Sequence, residues 1–136
     1  MTTNWSDLQA PSLDDFERMA RAAFAGLPEA FRQLTEGVVI RVDDFPAEDV
    51  LKELGAQSEF DILGLFQGIG IAQDGATPQT GQMPNIIHLY RRPILDYWAD
   101  HEETLGTIVS HVLIHEIGHH VGLSDEDMEA IEASVA

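Results

Sequence analysis

The run that most constrains this chain is His115-Glu116-Ile117-Gly118-His119, which has the pattern His-Glu-x-x-His. Histidines four residues apart lie on the same face of a helix, so the pattern predicts a helix here. At that spacing two imidazole nitrogens can bind one zinc ion at about 2.0–2.1 Å each. Glu116 would lie beside the open side of such an ion, where a carboxylate can take a proton from a bound water. The run therefore predicts a zinc hydrolase, with a peptidase as the preferred class.

The motif needs a further ligand, because catalytic zinc sites usually combine three protein ligands with one water. Gly122 stands where a left-handed glycine ends a helix, and the reversal of the chain can return Asp125 toward the histidines. Asp125 is therefore the predicted third ligand. Its alternative interpretation is an ordinary acidic residue in the first turn of the last helix, where the helix dipole favours a negative charge. Glu126 and Glu129 on that helix are the fallback ligands.

Several other polar side chains are candidates for supporting roles. His111 continues the column of imidazoles as an accessory ligand or supporting group, or else it is an ordinary half-exposed histidine. His120 either supports a ligand or is a cation that suits the helix dipole in the last turn. A tetrahedral intermediate also needs hydrogen-bond donors for its oxyanion. The candidates for this role are His88, Tyr90, Arg91 and Tyr97. For each of them an ordinary strand or core role is the preferred interpretation.

The hydrophobic pattern predicts helices that alternate with short strands. A capping signature begins at Ser12, and the spacing of apolar residues after it predicts a helix over 13–25. The other predicted helices cover 28–36, 46–54, 95–121 and the segment from the capping signature at Ser124 to about 134. Strands are predicted over 37–42, 62–68 and 85–91, with Pro93 ending the last, and a loop is predicted over 72–84. Gly118 inside the motif helix indicates the close passage of a strand or of substrate.

This order of elements predicts the class α+β, with a small mixed sheet packed against helices and the motif helix at the centre. Residues 1–11 are predicted to form a flexible arm, and residues 12–136 a single domain. The chain contains no cysteine, which excludes disulfides and cysteine zinc sites.

The net charge of −17 repels phosphates and anionic lipids, which argues against nucleic acid and membranes as partners. It is compatible with a well-solvated acidic surface and with a field that attracts metal cations or basic peptide segments. No stretch is apolar enough to span a bilayer, and no signal-peptide pattern is recognisable. We therefore expect a cytoplasmic acidic protein whose partner is a peptide or protein substrate.

The stretch from about Val112 to Ile131 resembles the small bacterial zincin-like metallopeptidases, whose site has the pattern His-Glu-x-x-His-x-x-Gly-x-x-Asp. The resemblance implies a minimal zincin fold and one zinc ion with the ligands His115, His119 and Asp125. It also implies Glu116 as the catalytic residue. In zincins an edge strand above the site pairs with extended substrate, and the strands at 85–91 and 62–68 are the candidates here.

Other interpretations of the motif remain open. The run His-Glu-Ile-Gly-His also resembles the motif of phage-repressor-cleaving metallopeptidases, although no DNA-binding partner domain is recognisable here. A short chain leaves little room for a deep cleft, so a zincin fold that binds metal or a protein partner without turnover is an alternative. A structural helix pair with a chance motif is another. Histidine and carboxylate ligands accept cobalt, nickel or iron as well as zinc.

Overall fold

A three-stranded mixed sheet forms one layer of the fold. The computed structural model describes residues 3–68 and 85–135, so the predicted loop at 72–84 lies outside the described residues. The strands are β1 (Val39–Asp43), β2 (Gly64–Gln67) and β3 (Ile86–Tyr90), in the order β1-β3-β2. β3 pairs with β1 in parallel and with β2 antiparallel. The small mixed sheet and the class α+β are thus confirmed, and each strand is found within two residues of its predicted bounds.

Six helices complete this part of the chain: α1 (Leu13–Ala25), α2 (Glu29–Gln33), α3 (Glu48–Glu53), α4 (Arg91–Ala99), α5 (Leu105–His120) and α6 (Asp125–Val135). α1 begins as predicted, because the Ser12 hydroxyl accepts from the Asp15 backbone N–H while the Asp15 carboxylate accepts from the Ser12 backbone N–H. α2 is shorter than predicted, since the chain tightens after Gln33 and reverses at Gly37, which has φ +80°.

The prediction of one continuous helix over 95–121 is wrong. The segment folds as the end of α4, a connection and then α5, because Thr104 caps a new helix by accepting a hydrogen bond from the Thr107 backbone N–H at 3.1 Å. Pro93 also acts differently from its prediction. β3 passes directly into α4 after Tyr90, and Pro93 lies in the first turn, where the proline N–H would have no helical partner anyway.

α5 is the central helix of the fold. It contacts α1, α4 and α6 as well as strands β2 and β3. Its buried residues point in most directions around the axis, which is typical of a helix surrounded by other elements. The core joins Phe16 of α1, Ile87 and Leu89 of β3 and Met128 of α6 to the apolar residues of α5. The motif is therefore held on a rigid element.

A tight turn joins α5 to α6 and returns the chain along α5. Gly122 has φ +82°, and the backbone N–H of Leu123 donates to the Gly118 carbonyl at 2.8 Å. This is the hydrogen-bond pattern with which a left-handed glycine ends a helix. The Ser124 hydroxyl then caps α6 by accepting from the Asp127 backbone N–H at 3.1 Å. Both predicted signals are confirmed, and together they place α6 against the motif helix.

The close passage of α6 requires glycine at position 118. The prediction that a strand or a substrate passes there is wrong. A Cβ atom at this position would overlap the Met128 sulfur and would lie 2.8 Å from its Cγ, and Met128 is fully buried.

We expect Gly118→Ala to lower the free energy of unfolding by about 1–3 kcal/mol, because the new methyl overpacks the helix pair. Gly106→Ala in the same helix, where a Cβ meets nothing within 4 Å, should raise it by about 0.4–1 kcal/mol. Urea denaturation of both variants checks the two signs.

The first residues of the described chain lie on the surface. Trp5–Asp7 forms a short 3-10 turn, and the Arg91 guanidinium donates to the Pro11 carbonyl at 2.6 Å. The division into an arm over 1–11 and a domain over 12–136 stays a prediction. Over the described ranges, none of the helices combines the length and the apolar character needed to cross a bilayer.

Candidate metal centre

Three imidazoles stand in a column on α5. The ring centroids of His111 and His115 are 4.0 Å apart, and those of His115 and His119 are 5.8 Å apart with the planes nearly perpendicular. The column follows from the spacing of four residues along a helix. His115 in the middle is the less exposed of the motif's two histidines, and burial, followed by the nearby His111, lowers its pKa. A lowered pKa favours the neutral imidazole, which is the form that binds metal ions.

The separation of His115 and His119 suits a shared ion. An imidazole centroid lies about 3.2 Å from a zinc ion bound through a ring nitrogen, so two rings on a tetrahedral ion are about 5 Å apart. The observed 5.8 Å is close to this value. The donor set is also chemically suitable, since imidazole and carboxylate are zinc ligands.

Asp125 is the first residue of α6 and is exposed. Its charge acts on His115 and raises the pKa of that imidazole, although this effect is smaller than the lowering by burial. Asp125 is therefore close enough to act electrostatically on His115, and its role as the third ligand stays a prediction. Glu126 and Glu129, the fallback ligands, are also exposed on α6.

A residue that the sequence reasoning missed lies closer to the column. Within the described chain, the tightest potential metal-binding group consists of His111, His115 and Glu132, whose ligand atoms are all within 4.8 Å of one another. The available signal was the spacing of seven residues between Asp125 and Glu132, which places both on the same face of α6. What the sequence does not give is the alignment of that face with the histidine column.

Glu116 faces the sheet. A Cβ atom on Gly64 of β2 would lie 3.5 Å from the Glu116 Cγ, so the absence of a side chain at Gly64 lets the strand approach. Burial raises the pKa of the Glu116 carboxyl, while the Phe66 backbone N–H and the charge of His119 oppose this shift. A raised pKa brings the carboxyl nearer to the working range of a general base at neutral pH.

His120 turns away from the column and stacks on Phe66 of β2, with ring centroids 3.8 Å apart and planes 18° apart. Burial against that ring lowers its pKa. The structure thus gives His120 a packing contact between α5 and β2. This contact packs α5 against the strand beside Glu116, and the predicted support of a metal ligand by His120 stays a prediction.

Three of the predicted oxyanion donors have partners outside the histidine column, whereas the charge of Glu116 acts on the fourth, Tyr90. Residues alternate along a strand, so His88 and Tyr90 lie on the face of β3 opposite to Ile87 and Leu89, which pack toward the core. Arg91 binds Asp44 and the Pro11 carbonyl, and Tyr97 stacks on His101. Burial, followed by the charges of Asp43 and Glu116, raises the pKa of Tyr90 to about 12, which keeps its phenol a hydrogen-bond donor.

His88 should make stability depend on pH. Burial is the largest cause of the lowered pKa of His88; the charge of Asp43 raises this pKa, and the charge of Arg41 lowers it. The His88 Nε2 atom is 2.8 Å from the Gln67 Oε1 atom. The unfolded chain then binds the proton more readily, so the free energy of unfolding falls as the pH drops through the unfolded value of about 6.5 and below it.

We expect His88→Gln to reduce the loss of stability between about pH 7 and about pH 5. Urea denaturation across this range measures the effect. His101→Gln, which removes an exposed histidine, is the matched control. Equal pH dependence in wild type and His88→Gln would contradict the prediction.

Comparison with known proteins adds a family and a fold. The family model described as zincin-like metallopeptidase matches residues 35–135. A conserved hypothetical protein from the bacterium T. thermophilus has a similar structure, with a TM-score of 0.52 and 18% sequence identity. The similarity covers 88% of this chain and 98% of that one, and it concerns the fold alone. No curated protein is significantly similar in sequence.

Proposed function

Because the chain belongs to the zincin-like metallopeptidase family, we propose that it is a zinc-dependent peptidase in which Glu116 is the general base. His115, His119 and Asp125 are the proposed ligands of one zinc ion. The observation that carries the proposal is the position of Glu116. Its carboxyl lies between the histidine helix and β2, is half-buried and has a raised pKa.

Zinc would supply Lewis-acid chemistry, which lowers the pKa of water and polarises a carbonyl. The protein groups do the rest. Glu116 accepts a proton from water and later donates it to the leaving amine, as a carboxyl with a raised pKa is suited to do. The nearby Phe66 backbone N–H favours the carboxylate form of Glu116, which is the form that accepts a proton.

β2 is the proposed binding strand for substrate. The Tyr90 backbone N–H donates to the Leu63 carbonyl at 3.0 Å, and hydrogen-bonded pairs alternate along an antiparallel ladder, so residues 63, 65 and 67 are the ones whose backbone groups point toward β3. In an antiparallel pair the backbone groups of the residues between them point to the other edge. The groups of Gly64 and Phe66 therefore point to the edge beside Glu116. An extended peptide could pair there, which supports the candidate strand at 62–68 over the central strand at 85–91.

Hydrolysis of short unstructured peptides by the zinc-loaded protein tests this function. We expect turnover by wild type, and its loss in both His119→Ala and Asp125→Ala. His101→Ala, which removes an exposed histidine from the α4–α5 connection, should retain turnover. A wild type that binds zinc but cleaves no peptide in a broad mixture would overturn the proposal, as would full activity of His119→Ala.

A further inference from the structure

A second group of metal-binding side chains lies on the seam between α5 and α6. We call His111, His115 and Glu132 the seam cluster. The Glu132 Oε1 atom is 2.5 Å from the His111 Nδ1 atom and 3.2 Å from the His115 Nε2 atom. The cluster shares His115 with the proposed catalytic ligands but uses neither His119 nor Asp125.

The Glu132 Oε1 atom is an unsatisfied buried acceptor. It is shielded from solvent, and over the described residues it has no hydrogen-bond partner. The two ring nitrogens beside it are close, but neither is oriented to donate a hydrogen bond to it. A buried carboxylate oxygen without a partner is unfavourable, whereas a cation placed between this oxygen and the two nitrogens would satisfy all three atoms.

The donor set and its dimensions suit a transition metal ion. Two histidines and one glutamate are a ligand set found in catalytic zinc sites. Ligand atoms on a tetrahedral zinc ion are about 3.3 Å apart, close to the 3.2 Å between Glu132 and His115. The shorter contact between Glu132 and His111 must open by less than about 1 Å, which the half-exposed His111 ring allows.

We propose that the seam cluster is a second binding position for a divalent transition metal ion, and that it competes with the catalytic position for His115. The Nε2 atom of His115 faces Glu132, so this nitrogen cannot be directed to both positions at once. An ion in the seam cluster therefore leaves the catalytic position without one of its histidines. The competition rests on the proposed function, whereas the second position rests only on the seam cluster itself.

The helix hairpin explains why two such positions arise. α6 returns along α5 after the turn at Gly122, so Asp125 lies near the end of the motif and Glu132 lies two turns further back. Glu132 thus lies against the pair His111 and His115, while the pair His115 and His119 is the one that Asp125 is proposed to complete. His115 belongs to both pairs because it occupies the middle of the column.

Metal binding without any activity assay tests the second position. Chelator-stripped variants are titrated with zinc, and with cobalt as a spectroscopic probe, and bound metal is counted by elemental analysis. His119→Ala and Asp125→Asn should each still bind one ion per chain, now in the seam cluster. The double variant His119→Ala/Glu132→Gln should bind zinc at least about 100-fold more weakly, because it disrupts both positions.

Glu53→Gln in the His119→Ala background is the control, since Glu53 is an exposed carboxylate on α3 that contributes nothing to the seam cluster. It should leave metal binding unchanged. Circular dichroism of each variant confirms that it is folded. Loss of the ion in both His119→Ala and Asp125→Asn would overturn the second position, as would unchanged zinc affinity on adding Glu132→Gln.

The competition has a separate readout. At one equivalent of zinc, Glu132→Gln should still bind one ion per chain, and its hydrolysis rate per bound ion should exceed that of wild type. The increase should be about twofold if the two positions are equally filled in wild type. An unchanged or lower rate would overturn the competition. If no variant hydrolyses peptides but the metal titrations follow the expected pattern, the proposed function fails and the second position stands.

Discussion

Replacing Glu116 by Gln is expected to lower kcat for peptide hydrolysis by about 10²–10⁴-fold while the protein still binds zinc. Gln has nearly the same shape as Glu but cannot accept the proton from water. The residue is not among the proposed ligands, so metal content should not change. Gln keeps the aliphatic part of the side chain that packs beside Gly64 of β2, so the fold should persist. Steady-state kinetics and elemental analysis on the same preparation measure both effects.

Glu53→Gln, which neutralises an exposed carboxylate on α3, is the control for the loss of one negative charge. It should leave kcat unchanged. A Glu116→Gln variant that keeps its zinc and at least half of the wild-type kcat would remove the general-base role. A variant that loses its zinc would instead show that Glu116 acts on the ligands.

Replacing Gly64 by Ala should damage both stability and turnover. The added Cβ would lie 2.5 Å from the Val112 Cγ1 atom of α5 and 3.0 Å from the His88 carbonyl oxygen of β3. Since the backbone of the central strand cannot yield easily, β2 must move away from α5. We expect a loss of about 1–3 kcal/mol in the free energy of unfolding. We also expect kcat to fall by up to about 100-fold, because a shift near 1 Å misplaces the strand beside Glu116.

The Val112→Ala variant separates overpacking from other effects of the Gly64 substitution. It removes the Cγ1 atom that the new methyl meets, so Gly64→Ala/Val112→Ala should be more stable than the sum of the single effects implies. Urea denaturation of the four proteins gives this coupling. Strict additivity would show that the space beside Val112 is not what requires glycine at Gly64.

Features encoded in neighbouring residues could be predicted from the sequence. The caps at Ser12 and Ser124 and the left-handed Gly122 each depend on a few consecutive residues, and the structure contains all three. Thr104 caps a helix by the same chemistry, but the apolar pattern before and after it continues at helical spacing and hides the break. The family and the mixed sheet follow from longer patterns, namely the motif and the alternation of helices with strands.

Features that depend on the packing of distant elements could not be predicted in this way. Glu132 meets His111 because of how two helices are rotated against each other. Glu116 meets Phe66 because β2 lies across α5, and Gly118 is required by a methionine in the next helix. In each case the residue type indicates a possible role. The partner, however, depends on a three-dimensional arrangement that spacing along one element does not specify.

The histidine column and the sheet differ in the length of chain that must be ordered to form them. β1 and β3 join residues as distant as Val39 and Ile86, so the sheet closes a long loop and forms slowly. The column needs only one helix. During refolding, a metal ion can therefore meet paired imidazoles before the sheet exists, and an ion bound this early stabilises the incomplete state as well as the native one. Zinc is thus expected to speed the formation of this helix. It should raise the free energy of unfolding by less than it would if it bound the native state alone.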